Sequence, residues 1–180
     1  ADLEREAGKL ILENNASLVQ MKPVSFNENQ GDILMKRDPK PNSLQNNDFL
    51  YWSSPVDDFE IGNITGNSTY RWDPQIVNTN GTYGNWVAVN NTEIMEGGKG
   101  YIRRWNGESS SGAFAEFVGK PRNGQYNVPV FESGGGTQAS NESNWNLVGN
   151  PYPSAINAAK FLQENATGTN SDIEGAVHLW

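Results

Sequence analysis

Short aromatic and apolar runs, each soon stopped by glycine, proline or asparagine, make up most of this chain. A stable helix needs an apolar stripe sustained over about three turns, and runs cut this often do not supply one. Short strands joined by tight turns use such a pattern directly. Two runs share one pattern, YWSSPV at 51–56 and WNLVGNPYPSAI at 145–156, each aromatic and apolar and ending in two small or polar residues before proline. Each copy leads through a loop to a second strand-like run ending in tryptophan, at Tyr70–Trp72 and at Val177–Trp180. After the first, the chain continues through WVAV to GKGYIRR at 98–104, and after the second it stops. The pattern reads as one and a half copies of a β-rich half-domain, truncated at the C-terminus.

Further strands are expected at Ile33–Lys36, Phe49–Trp52, Trp86–Val89, Tyr101–Arg104, Ala113–Val118 and Tyr126–Phe131. The Trp86 strand is entered by a turn built on Asn80, Gly81 and Gly84. Residues 97–100, GGKG, make a flexible corner, and 133–143 a surface loop. Residues 8–21 read as two strands around Asn14 and Asn15, favoured over a helical reading through Leu3, Ala7, Leu10 and Ile11. One helix is expected from Ala158 to Glu164, capped by Asn157, with Ile156 and Phe161 placed for a hydrophobic staple. The fold class is therefore all-β: a sandwich or jelly-roll-like domain with one short helix. Residues 1–45 form a β-solenoid-like or linking segment, and 46–180 the sandwich module.

The 180 residues carry 21 acids against 13 bases, a net charge of −8. A surface of that sign repels phosphate backbones, which excludes nucleic acid as the expected partner. No apolar run approaches the roughly 20 residues of a membrane span, so membrane insertion is not expected. Cysteine is absent, which removes disulfides, thiolate metal sites and cysteine nucleophiles together. The single histidine, His178, has no nucleophile elbow near Ser53 or Ser54 to serve. The GGKG run lacks the spacing and the following helix of a phosphate loop.

Two chemistries remain. Asp57, Asp58 and Glu60 follow the first copy of the repeated run, where a loop gathering carboxylates and carbonyls would suit calcium, a hard cation that takes six to eight oxygens. A solvated acidic loop is the plainer reading of the same residues. Six Trp, six Tyr and seven Phe also provide flat apolar surfaces of the kind that sugar faces stack on. Trp72, Trp86 and Trp105 stand beside turns and polar residues and are the expected glycan contacts, whereas Trp52 and Trp145 are expected in the core.

Taken in order, DFLYWSSPV, the M-x-x-GKGYI run from Met95 to Ile102, F-x-GKPRNGQ-x-x-V-P-V and NWNLVGNPYPSAINAAKFL form a set. That set resembles a recurring module of Bacteroidota surface proteins, which lies upstream of the sorting domain used by the type IX secretion system. The resemblance implies an extracellular, cell-surface setting and neighbouring domains in a longer parent chain. The repeated half-domain and the missing catalytic groups, in that setting, make a non-catalytic structural or adhesive role the expectation, with glycans or other surface proteins as partners. A carbohydrate-binding module using exposed rings is the alternative, and a fragment of a glycan-active hydrolase a third.

Overall fold

The computed structural model describes residues 5–6, 9–22, 24–39, 44–106, 115–132, 145–166, 173 and 177. Among the described residues eight strands run in chain order: β1 Arg5–Glu6, β2 Lys9–Leu12, β3 Ile33–Arg37, β4 Phe49–Trp52, β5 Thr69–Val77, β6 Tyr83–Val89, β7 Tyr101–Arg104 and β8 Ala115–Gly119. One helix follows, α1 Ala158–Asn165. The strands form two four-stranded sheets, ordered β1-β2-β3-β8 and β4-β7-β5-β6. This is an all-β sandwich with one short helix, as the pattern of runs and turns predicts.

Alternation builds the core. In β3 and β8, Ile33, Met35, Ala115 and Phe117 are buried while their neighbours are less so, because successive side chains leave a strand on opposite faces. Trp52 and Tyr101 face them from the second sheet. The segment between β4 and β5 adds Val56, Phe59, Ile61 and Ile64, with a 3-10 turn at Ile61–Asn63. Phe117 is the centre of this seam, its ring 4.6 Å from Phe59 and 6.2 Å from Trp52. Leu12, Ile33 and Met35, from the expected N-terminal segment 1–45, thus share one core with Trp52 and Phe117 from 46–180. β2 and β3 are parallel, and β3 pairs antiparallel with β8.

Where the structure departs from expectation, packing explains it. Past Asn15, at φ 68°, residues 16–20 run as irregular chain in place of a second strand. Gln20 is held there by its side-chain amide, which donates to the Arg122 carbonyl at 2.8 Å, and the Leu18 N–H donates to Pro153 at 2.8 Å. Residues 126–131 are also irregular. Pro129 lacks a ladder donor, and the backbone N–H and C=O of Phe131 are both taken by the Asn146 side chain at 2.9 Å.

The second copy of the repeated run is not a strand either. Residues 145–150 pair with the 97–100 corner at an isolated bridge, Lys99 to Val148. The two copies lie against each other, with the Ser53 hydroxyl donating to the Asn150 carbonyl at 2.8 Å. The 97–100 corner is closely packed: Gly98 has φ 82°, and a Cβ there would come within 2.3 Å of Val128. The VHLW run apart from Val177, including His178, and the loop at 133–143 lie outside the described residues. The Asn157 cap is as expected, its side chain accepting from the Lys160 N–H at 3.0 Å.

Tyr101 gives the core a pH limit. Its hydroxyl accepts from the Glu96 N–H at 3.1 Å, and burial pushes the phenol above its ordinary 10.0, helped by the carboxylates of Glu96 and Glu93. The folded state therefore prefers neutral Tyr101. Its contribution is complete below the ordinary value and is lost as pH rises through the higher folded-state value. Urea melts should show stability falling above about pH 10, and Tyr101→Phe should flatten that fall. An equally steep fall in the variant would move the effect to Tyr126 or Tyr152, whose phenols burial also raises.

Candidate functional site: an aromatic sheet face

The second sheet has two unlike faces. Leu50, Trp52, Tyr101, Arg103 and Thr69 turn toward the core or lie buried beside it. Their chain neighbours Phe49, Tyr51, Ile102, Arg104, Tyr70, Trp72, Trp86 and Ala88 take the other face by alternation. Register brings these into rows. Tyr51 opposes Ile102, Ile102 opposes Tyr70, and Tyr70 opposes Ala88. Phe49 opposes Arg104, and Trp72 opposes Trp86.

Two edge-on aromatic pairs order the face. Phe49 and Tyr70 meet at 6.0 Å and 67°, and Trp72 and Trp86 at 5.2 Å and 74°, the T-shaped arrangement that ring quadrupoles favour. Trp72 is fixed further: its indole N–H donates to the Trp145 carbonyl at 2.7 Å. Gly84, at φ 87°, leaves the space its ring fills, since a Cβ there would lie 2.2 Å from Trp72 Cζ2. Phe49 is 43% exposed, Tyr51 40% and Trp86 37%. With strands about 4.8 Å apart, four strands spread these rings over roughly 15 Å. Arg104 adds a cation at one end, its guanidinium held by the Asn47 side-chain oxygen.

The structure sets Trp72 and Trp86, two of the three expected glycan contacts, on one face and in contact. Trp105, the third, is not there. It is 4% exposed and belongs to the core, and its N–H donates to Asp48 at 2.7 Å while its carbonyl accepts from Asn47 at 3.0 Å. Its parity with Tyr101 and Arg103 carries it to the inner face. Trp145, expected in the core, is 47% exposed. Phe49, Tyr51 and Tyr70 were missed, although the same alternation that pairs Trp72 with Trp86 identifies them.

The expected calcium loop has a different use. Asp57 accepts from Arg122 Nε at 3.1 Å and from the Asn27 amide at 3.0 Å, with Lys120 Nζ at 3.7 Å. Arg122 is buried and also donates to the Met95 carbonyl at 2.6 Å. Asp58 and Glu60 are exposed. The three carboxylates do not form a cation site, and among the described residues no group of three or more His, Cys, Asp or Glu side chains is placed to hold a metal ion. Asp57 instead ties the 55–57 turn to the chain after β8.

These features define a two-sheet β domain with an aromatic outer face. The model of a domain of unknown function, DUF8693, matches residues 4–180, and the chain belongs to that family. No curated protein and no solved structure matches it.

Asp57→Ala should cost about 3–5 kcal/mol in urea melts, because it strands a buried guanidinium, and chelating calcium should change neither protein's melting temperature. A chelation-sensitive wild type would return Asp57 to a cation. Gly84→Ala should cost about 1–3 kcal/mol and shift tryptophan emission as Trp72 is displaced. A variant as stable as the parent would show that the ring is not fixed by this contact.

Proposed function

We propose that this domain is a non-catalytic adhesive module that takes carbohydrate on the aromatic face of its second sheet. The observation that carries the reading is the alignment of Phe49, Tyr51, Tyr70, Trp72 and Trp86 on one outward face, ordered by edge-on pairs and in part exposed. A soluble domain gains nothing from apolar rings left in water, so a built array of them supports a binding role. Sugar rings have apolar faces and polar rims, and the amide of Asn90, beside Tyr70 and Ala88 at the margin, supplies donors and acceptors for the rims.

The motif resemblance supports an extracellular setting, as part of a large secreted surface protein of the Bacteroidota kind exported by type IX secretion. The net charge of −8 weighs against nucleic acid. Among the described residues no helix is long and apolar enough to cross a membrane.

A broad glycan array probed with the full chain tests the reading. Binding to a defined class of glycans is expected, reduced about tenfold or more by Trp86→Ala, a loss of at least about 1.4 kcal/mol, with the melting temperature little changed. A blank array, or binding indifferent to Trp86→Ala and Tyr51→Ala alike, would reject the face as a glycan site. A role as a spacer between neighbouring domains would then fit better.

A further inference from the structure

Among the described residues the sandwich buries two arginines and treats them differently. Arg122 faces the carboxylate of Asp57. Arg103, on β7 and 3% exposed, has neutral partners only. Its Nη1 donates to Thr69 Oγ1 at 2.6 Å and to Asn91 Oδ1 at 2.9 Å, and its Nη2 donates to the Gly66 carbonyl at 2.8 Å. Its Nε has no hydrogen-bond partner among the described residues. None of the ion pairs among the described residues includes Arg103. Burial lowers its pKa, yet a guanidinium remains charged. A buried charge with no counter-charge is an arrangement proteins avoid unless something compensates it.

The position of this cation is informative. Thr69 and Asn91, which hold its Nη1, also line an open cavity of about 310 Å³ at the end of the β5–β6 pair. Asn67, Ser68 and Asn90 complete the polar wall, and Tyr70, shared with the aromatic face, forms the join. Among the described residues no Asp or Glu lines the cavity, although acids outnumber bases in the chain. A cavity walled mostly by amides and hydroxyls, with Ala88 and Val89 between them, backed by a buried cation and continuous with an aromatic platform, matches a sugar ring that carries a negative charge.

We infer that this cavity binds an anionic sugar residue, a uronic acid or a sulfate ester, within a glycan whose neighbouring units lie on the aromatic face. The inference rests on the glycan reading above and narrows its ligand class. Asn67 and Ser68 would meet the anionic group from the rim, with Arg103 supplying the field from behind.

Asn67→Asp is the discriminating variant. Asn67 is exposed, and its Oδ1 accepts from the Ser68 N–H at 2.6 Å, a bond an aspartate keeps while adding a negative charge to the rim. The full chain and this variant are applied to an array holding neutral, uronic-acid and sulfated glycans at low ionic strength. The strongest signals are expected from anionic glycans, falling about tenfold in Asn67→Asp and shrinking as salt is raised. Neutral glycans should bind the two proteins alike. The relative signals of uronates and sulfate esters identify which anion is preferred. Binding confined to neutral glycans, or anionic binding indifferent to Asn67→Asp, overturns the inference and leaves the aromatic face as a glycan site. A blank array overturns both.

Discussion

The register between β7 and its two neighbours is the constraint on which the rest of the molecule depends. Tyr101 pairs with Trp52 on one side and Arg71 on the other, and that pairing fixes the face of every residue in the second sheet. A slip of one residue would exchange the faces. Trp52 and Tyr101 would leave the core, and Tyr51 and Tyr70 would enter it. Core and candidate site are therefore one decision, made by backbone pairing and held by two different environments.

Other contacts serve to keep that register. Trp105 extends the β4–β7 ladder through backbone bonds to Asn47 and Asp48. The closely packed 97–100 corner turns the chain into β7 while receiving Leu147 and Gly149 through backbone bonds of 3.3 and 2.9 Å. Arg122, bound to Asp57 and Met95 and lying over the Tyr126 ring at 5.9 Å, closes the same end from outside the sheets. The aromatic face is thus supported by contacts that do not touch it, which is what a rigid platform requires.

Much of this architecture can be read from local sequence. Aromatic and β-branched runs locate β4 through β8, Asn80-Gly81 locates the β5–β6 turn, and Asn157 locates the helix start. Each of these signals acts within a few residues. What stays hidden is set by partners far along the chain. Asp57 looks like a cation ligand until Arg122, beyond β8, is placed beside it. The 126–131 run has strand composition, but Asn146 occupies the backbone groups of Phe131 that a partner strand would need. Trp105 and Trp145 exchange their expected environments for a similar reason. The first is carried inward by the parity of a strand it continues, and the second is held at the surface through its carbonyl by Trp72.

The pairing of β3 with β8 also bears on how the domain assembles. Met35 meets Phe117 only after residues 36 to 116 have been placed, and the whole second sheet lies within that interval. Loop closure over such a span is slow, and non-local strand pairing delays folding for the same entropic reason. A chain emerging from its N-terminus would carry β2 and β3 with one edge open until β8 arrives, exposing Leu12, Ile33 and Met35 meanwhile. The second sheet, closed entirely between Phe49 and Arg104, has no such wait. Its completion offers the surface on which the earlier strands can finally be sealed.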